Sequence, residues 1–277
     1  MCKVLKVGRS SYYRWYSGDI SNRKLENIEL TVAIKEIFTQ SKKTYGSPRI
    51  SAELKRRGHT VSKPRVAKLM RLNGLKSKIR KRYRVTTTNS NHKLAISANH
   101  LNRNFIPTAL NKAWVSDITY IRTNQGWLYL TTVIDLFDRQ IIGWSLSETL
   151  LTKETILPAW KMAVGKRNID DQLIFHSDRG VQYASKEFRR CLKNNPLITQ
   201  SMSRKGNCWD NAVAESFFKT LKVELIYHQE YVTIEQAKLA VFEYIEVWYN
   251  RKRLHSSLGY NTPVEIELKF NQLKNVA

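Results

Sequence analysis

Between Asn111 and Ser147 three β-rich runs follow one another with little chain between them: NKAWVSDITYIRT, WLYLTTVIDLF and RQIIGWSLS. The first alternates, so that Val115, Asp117, Thr119 and Ile121 share one face. The last two meet at a tight connection around Asp138-Arg139, and three such runs in succession predict an antiparallel meander. Residues 152–165 then read as a helix with Pro158 near its first turn or kinking it. QLIFHSD follows as a short apolar strand, SKEFRRCLKNN as a helix, LITQSMS as a strand and residues 211–226 as another helix. The order βββαβαβα predicts an α/β sheet whose central strands are the first and the fourth.

The chain before this region has a different character. Leu30, Ile34, Ile37 and Phe38 give residues 22–40 a helical period. In YGSPRISAELKRRGHTVSKPRVAKLMRLNGL, Ser47-Pro48 opens a helix, Gly58 ends it, Ser62-Lys63-Pro64 opens a second and Asn73-Gly74 closes that one. The expected product is a helix-turn-helix with a core of Ile50, Leu54, Val66, Leu69 and Met70, and with Arg49, Arg56, Arg57, Lys63, Arg65, Lys68 and Arg71 outward. KSKIRKRYR from Lys76 holds six basic residues in nine and reads as a cationic linker.

Charge says what this half is for. Residues 1–110 carry 25 Lys and Arg against 5 Asp and Glu, a surplus of +20, whereas residues 111–277 carry 22 against 18, a surplus of +4. One region built to grip a polyanion produces that asymmetry, and DNA is the expected partner. A recognition helix enters the major groove, which makes Arg65, Lys68 and Arg71 candidate DNA contacts, with Arg80 and Arg82 tracking phosphates from the linker. No apolar run is long enough to span a membrane and no apolar leader opens the chain, so a cytoplasmic protein without a membrane partner is expected.

Cys2, Cys191 and Cys208 form no CxxC pair, and the six histidines form no HxxxH or HExxH cluster. Carboxylates are therefore the plausible metal ligands. Asp117 lies among apolar neighbours in a strand, where an acid is costly unless it binds something. Asp178 ends the strand LIFHSD, at the carboxyl edge where α/β sheets place their sites. Glu215 sits off the apolar stripe Val213, Phe217 and Leu221 of the helix that follows SMSRKGNCWDNA, and Lys219 and Lys222 share its side. Three carboxylates so placed can hold two Mg²⁺ or Mn²⁺ ions about 3.5–4 Å apart, a pair that promotes in-line phosphodiester displacement by water or by a 3′-hydroxyl.

Other residues invite plainer readings. Asp135 and Asp138 flank a strand connection and suit a turn, Asp210 or Asn211 suits a helix N-cap, and His176, His255 and Trp209 suit structural packing, the alternatives being substrate contact or orientation of a carboxylate for the two histidines and base stacking for Trp209. Gly180, Gln182 and Tyr183 shape the turn after Asp178. Residues 233–250 read as a helix opened by a capping box at Thr233, with Leu239, Phe242, Ile245 and Tyr249 on one face.

WVSDITYI, HSDRGVQY, SMSRKGNCWDNAVAESFFKTLK and YNRKRLHSSLGYNTP resemble the successive signatures of second-frame catalytic proteins of the insertion sequence three family, relatives of retroviral integrases. The resemblance covers nearly the whole chain. It implies a ribonuclease-H-like mixed sheet flanked by helices and preceded by a small all-α helix-turn-helix region. The implied divisions are residues 1–75, a linker at 76–110, a catalytic core at 111–227 and a helical extension at 228–277. It matches Asp117, Asp178 and Glu215 to the family's DDE triad, and Lys219 and Lys222 to basic positions that hold the element's end. Between Asp178 and Glu215 lie 36 residues, one more than the family's usual gap, and a bulge is expected in KNNPLITQ. The activity implied is a DNA transposase that cleaves and joins the ends of its element into a target as a homo-multimer, alone or with an upstream-frame protein. The competing expectations are a DNA-binding regulator without catalysis and a nuclease that never joins.

Overall fold

A computed structural model describes residues 1–18, 20–78 and 94–276. The chain divides into two compact units, residues 1–78 and 79–277. The first is helical. α1 (Arg9–Tyr16) buries none of its residues and carries Tyr13, Trp15 and Tyr16 each in ring contact with Tyr12. α2 (Asn22–Gln40) starts at Ser21, whose hydroxyl accepts from the Lys24 N–H and satisfies one of the donors a helix start leaves open. α3 (Ser47–Arg56) has Ser47 as its first residue and Gly46 as its cap, so the serine expected to cap is inside the helix. Gly58, at φ +87°, turns the chain in a conformation that L side chains rarely adopt. α4 (Lys63–Leu72) is capped by the Ser62 hydroxyl. Leu30, Ile34, Ile37 and Phe38 of α2 pack with Ile50, Leu54, Val66, Leu69 and Met70, all buried.

The second unit is built on a five-stranded sheet in the order β3-β2-β1-β4-β5. β1 (Ala113–Thr123), β2 (Gly126–Asp135) and β3 (Ile141–Ser147) form the antiparallel meander. β4 (Leu173–Ser177) and β5 (Ile198–Met202) add on parallel, with β4 against β1. This is the mixed sheet of the ribonuclease-H-like fold. The strand pairing of β5 is regular from Leu173↔Ile198 to Ser177↔Met202, so the bulge expected in KNNPLITQ does not occur within β5.

Helices cover both faces. α5 (Ile156–Lys166) lies on β2 and β3, and Gly143 lets it come close: a Cβ there would stand 2.1 Å from the Ala159 carbonyl oxygen. α6 (Val181–Ala184) and α7 (Lys186–Lys193) follow β4, and Trp114, Trp160, Phe175, Tyr183 and Phe188 make the core on this side. α8 (Ala212–Glu224) packs on β1.

α9 (Ile234–Phe242) opens with the expected capping box. A π-helix over Glu243–Tyr249 then widens the turn and rotates the apolar face, so Leu239 and Phe242 are exposed while Val241, Tyr244, Ile245, Trp248 and Tyr249 are buried. α10 (Pro263–Val276) ends the described chain. Two buried polar links tie this extension to the core: the Glu224 carboxylate accepts from Arg253 Nη2 at 2.8 Å, and the Asn250 amide exchanges two hydrogen bonds with the Ile141 backbone at 3.0 Å each. Residues 94–104, inside the stretch expected to be linker, lie along β5, where Met202 N–H donates to the Ala98 carbonyl and the Ser201 hydroxyl accepts from the His100 and Leu101 N–H groups.

Candidate active site

Strand register decides which acids meet. Ser116 of β1 pairs with Ser177 of β4 in a parallel ladder that ends there, and Asp117 and Asp178 are the next residue on each chain segment. Across the other edge of β1, Asp117 is paired with Thr132 of β2, whose buried hydroxyl has no hydrogen-bond partner among the described residues. The Asp178 carboxylate accepts from the Gly180 N–H at 2.9 Å and that of Asp117 from the Ile118 N–H at 2.8 Å.

Glu215 arrives on the first turn of α8. Asn211, just before that helix, donates its side-chain amide to the Ser116 carbonyl at 3.1 Å and so ties the helix start to the residue preceding Asp117. Asn211 therefore anchors rather than caps. Asp210 is not a cap either. Its buried carboxylate accepts from the Arg204 backbone N–H and guanidinium, from Arg103 Nε at 2.8 Å and from Asn99. Those donors, Arg204 first, hold Asp210 well below the usual carboxylate range.

The acids sense one another. Burial, then the charge of Asp178 and more weakly that of Glu215, pushes the Asp117 carboxyl well above its ordinary range, while the Ile118 hydrogen bond and the Lys222 ammonium pull the other way. Glu215 is raised by burial and by Asp178. Burial lowers Lys222, and Asp117 opposes that shift. All-oxygen donors carrying surplus negative charge, beside an unpartnered hydroxyl, suit a hard divalent cation. Among the described residues, no three His, Cys, Asp or Glu side chains are already drawn together as a group able to hold a metal ion. Asp178 acts on Asp117 more strongly than Glu215 does, and Glu215, partly covered and partly open to solvent, stands at the rim.

The sequence-predicted DNA contacts fall into three groups. Lys219, Lys68 and Arg71 are exposed, and Lys222 is half-buried. Arg65 instead turns onto α2, donating to Glu26 Oε2 at 2.8 Å and Asn27 Oδ1 at 2.9 Å, an arrangement that lowers Glu26. Arg80 and Arg82 lie outside the described residues.

The alternative acids and histidines are structural. Asp135 and Asp138 accept from the backbone N–H groups of their turn, as expected, and both also meet buried Arg167. His176 is buried between the Ser201 and Ser203 hydroxyls, and burial lowers it to about 4. His255 packs edge-on against Tyr249. Gln182 donates to the Leu150 carbonyl, and the Tyr183 hydroxyl bonds Ser116. Trp209 departs from expectation: it is 69% exposed and packs in no core.

The integrase core domain family model matches residues 107–208 and a second integrase core domain model residues 197–263, while an HTH-like domain model matches residues 24–83. The Shigella sonnei insertion element IS600 uncharacterized 31 kDa protein is 41% identical over 99% of this chain and 99% of its own. Transposase InsF of insertion sequence IS3A from Escherichia coli K12 is 40% identical over 97% of this chain and 93% of its own. The chain belongs to the IS3-type insertion-sequence transposases. Within that family the transposase is a DDE-type polynucleotidyl transferase. A chain of the simian T-cell lymphotropic virus intasome, solved with PP2A regulatory subunit B56 gamma, is also similar to it in structure, at 14% identity, with a TM-score of 0.47 over 84% of the transposase and 73% of that chain.

Sequence reasoning missed several parts of the site in this transposase. Thr132 follows from register alone and could have been found by aligning β1 with β2. Arg103 carries no local signal, because its partner lies 107 residues away.

Proposed function

We propose that this transposase binds the ends of its insertion sequence, cleaves DNA there and joins the freed 3′-hydroxyl to a target strand, with Asp117, Asp178 and Glu215 as its catalytic carboxylates. DNA transposition and DNA binding are the family's work. The observation that carries the finer reading is the placement of Asp117 and Asp178 directly after the last pair of the β1–β4 ladder, with Glu215 electrically coupled to both.

Asp117 and Asp178 would hold a first Mg²⁺ or Mn²⁺ ion, and Glu215, in the first turn of α8, would complete a two-ion set. Bound there, divalent ions would supply charge stabilisation for the attacking and leaving oxygens. The chain's own residues do the rest. Lys219 and Lys222, one and two turns beyond Glu215, hold phosphates of the DNA end, and Lys222 also balances Asp117. Gly180 N–H fixes the Asp178 carboxylate, and Asn211 fixes the helix start against β1. Lys68 and Arg71 on α4 meet end DNA, with Arg80 and Arg82 continuing that contact. Joining two ends calls for a homo-multimer, and an upstream-frame protein would add a further DNA-binding part.

The test is product analysis on a labelled end. Glu215→Gln leaves end binding intact and removes Mg²⁺-dependent nicking and joining. Normal joining by that variant refutes the assignment. Binding without any altered strand in the wild type would favour a non-catalytic regulator, and nicking without joining a simple nuclease.

A further inference from the structure

Trp209 leaves an indole in solvent on an element that everything around it holds still. It is 69% exposed, and Trp15 of the helical unit is 76% exposed, whereas Trp114, Trp160 and Trp248 are buried. An indole presents a large apolar face with a polar handle, a surface that a partner can cover. A mobile loop would offer a trivial explanation, but Trp209 belongs to a short 3-10 turn, Cys208–Asn211, that is fastened on both sides. On one side Asp210 accepts from Arg204 Nη2 at 2.8 Å, Arg103 Nε at 2.8 Å and Asn99 Nδ2 at 3.0 Å. Arg103 also donates to Asn207 at 2.9 Å, closing the loop on itself. On the other side Asn211 is bonded to the Ser116 carbonyl, one residue before Asp117. The indole's backbone is thus fixed two residues from an anchor on the strand that carries the first acid, and six residues before Glu215.

Its neighbours indicate what kind of partner fits. Arg204 is engaged by Asp210, and exposed Lys205, four residues before the indole, is the cation that can meet an anion there. A flat apolar ring near a cationic side chain suits a nucleotide: the ring takes the base face and the cation takes the phosphate. Inside a paired duplex both faces of each base are already covered, so the ligand is a base at the very end or one that has left the stack.

We propose that Trp209 is a stacking platform for an unpaired or extruded base of the DNA held at the active site. This rests on the DNA end being the substrate, as proposed above. Because the turn is fastened in advance, little freedom is lost when the base docks. Stacking depends on π-faces and is tolerant of base identity, so the platform distinguishes an opened end from a closed one rather than one sequence from another.

The experiment measures binding of the full chain to a short DNA duplex in two forms, one blunt and one with its last few bases mismatched and substituted by 2-aminopurine. Wild type is expected to prefer the opened end by roughly 5- to 100-fold and to quench the 2-aminopurine signal. Trp209→Ala should lose the preference and the quench, while its affinity for the blunt duplex stays within about twofold and its melting temperature is unchanged. Trp209→Phe should retain most of both signals, which a simple loss of folding would not allow.

The inference is overturned if the alanine variant keeps the preference, if it loses blunt and opened duplexes equally, or if it falls apart as a multimer without DNA, which would assign the indole to a protein contact. The joining assay separates this from the catalytic reading. A wild type that joins ends but shows no preference for opened DNA sinks the stacking alone. A chain that shows the Trp209-dependent preference but joins nothing sinks only the catalysis.

Discussion

Asp117 and Asp178 each directly follow a member of the Ser116↔Ser177 pair, the last pair of the parallel ladder between β1 and β4. Burial and mutual repulsion raise Asp117, so without a cation the pair works against the fold. Asp117→Asn removes one charge and keeps an oxygen for the Ile118 N–H. The metal-free variant is therefore expected to be more stable than wild type by about 1 kcal/mol while losing activity, as measured by urea unfolding in a chelator. A variant less stable than wild type would show that the repulsion is already balanced.

Asp210 gives the opposite sign. Arg204 and then Arg103 depress its carboxyl, so its contribution is fully present above the ordinary carboxyl range and is lost as pH falls below about 4. Asp210→Asn should cost about 1–2 kcal/mol at neutral pH, a figure reduced because Arg103 and Arg204 are half exposed. Between pH 5 and pH 2 the wild type should lose stability more steeply than the variant, read by urea unfolding at each pH. Parallel curves would contradict the ion cluster.

Arg65 and Lys68 lie on the same helix and should fail differently. Arg65 is bonded to Glu26 and Asn27, so Arg65→Ala should lower the melting temperature of the helical unit slightly. Lys68 is exposed, so Lys68→Ala should leave stability unchanged and weaken DNA binding at every salt concentration, reducing the slope of log affinity against log salt by about one. Thermal melts and salt-dependent binding separate the two.

Gly143 has no room for a side chain. A Cβ would lie 2.1 Å from the Ala159 carbonyl and 2.8 Å from the Ala163 nitrogen, both backbone atoms of α5. Gly143→Ala should force the helix off the sheet at a cost of about 3 kcal/mol, seen as a lower urea midpoint.

The strands were legible because period-two alternation fixes faces: Asp117 could be placed on its face of β1 from Val115, Thr119 and Ile121 alone. Capping was legible where a hydroxyl precedes a helix, at Ser62 and Thr233. Long-range polar partners were not. Arg65 looked outward because its Glu26 partner sits 39 residues earlier, and Asp210 looked like a cap because Arg103 is far off in the chain. The face of α9 was misread at Leu239 and Phe242 because a π-turn breaks the 3.6-residue period that the reading assumed. Trp209 was read as packing because sequence records an indole's size and not the absence of neighbours around it.

The central claim is that Asp117, Asp178 and Glu215 act as one divalent-cation site. Electron paramagnetic resonance of free Mn²⁺, titrated with the full chain in the presence of duplex DNA, tests it directly. The account predicts that wild type removes Mn²⁺ from solution and that Asp117→Asn and Asp178→Asn each abolish the uptake, with Glu215→Gln weakening it. Uptake by Asp117→Asn and Asp178→Asn equal to that of wild type would contradict it.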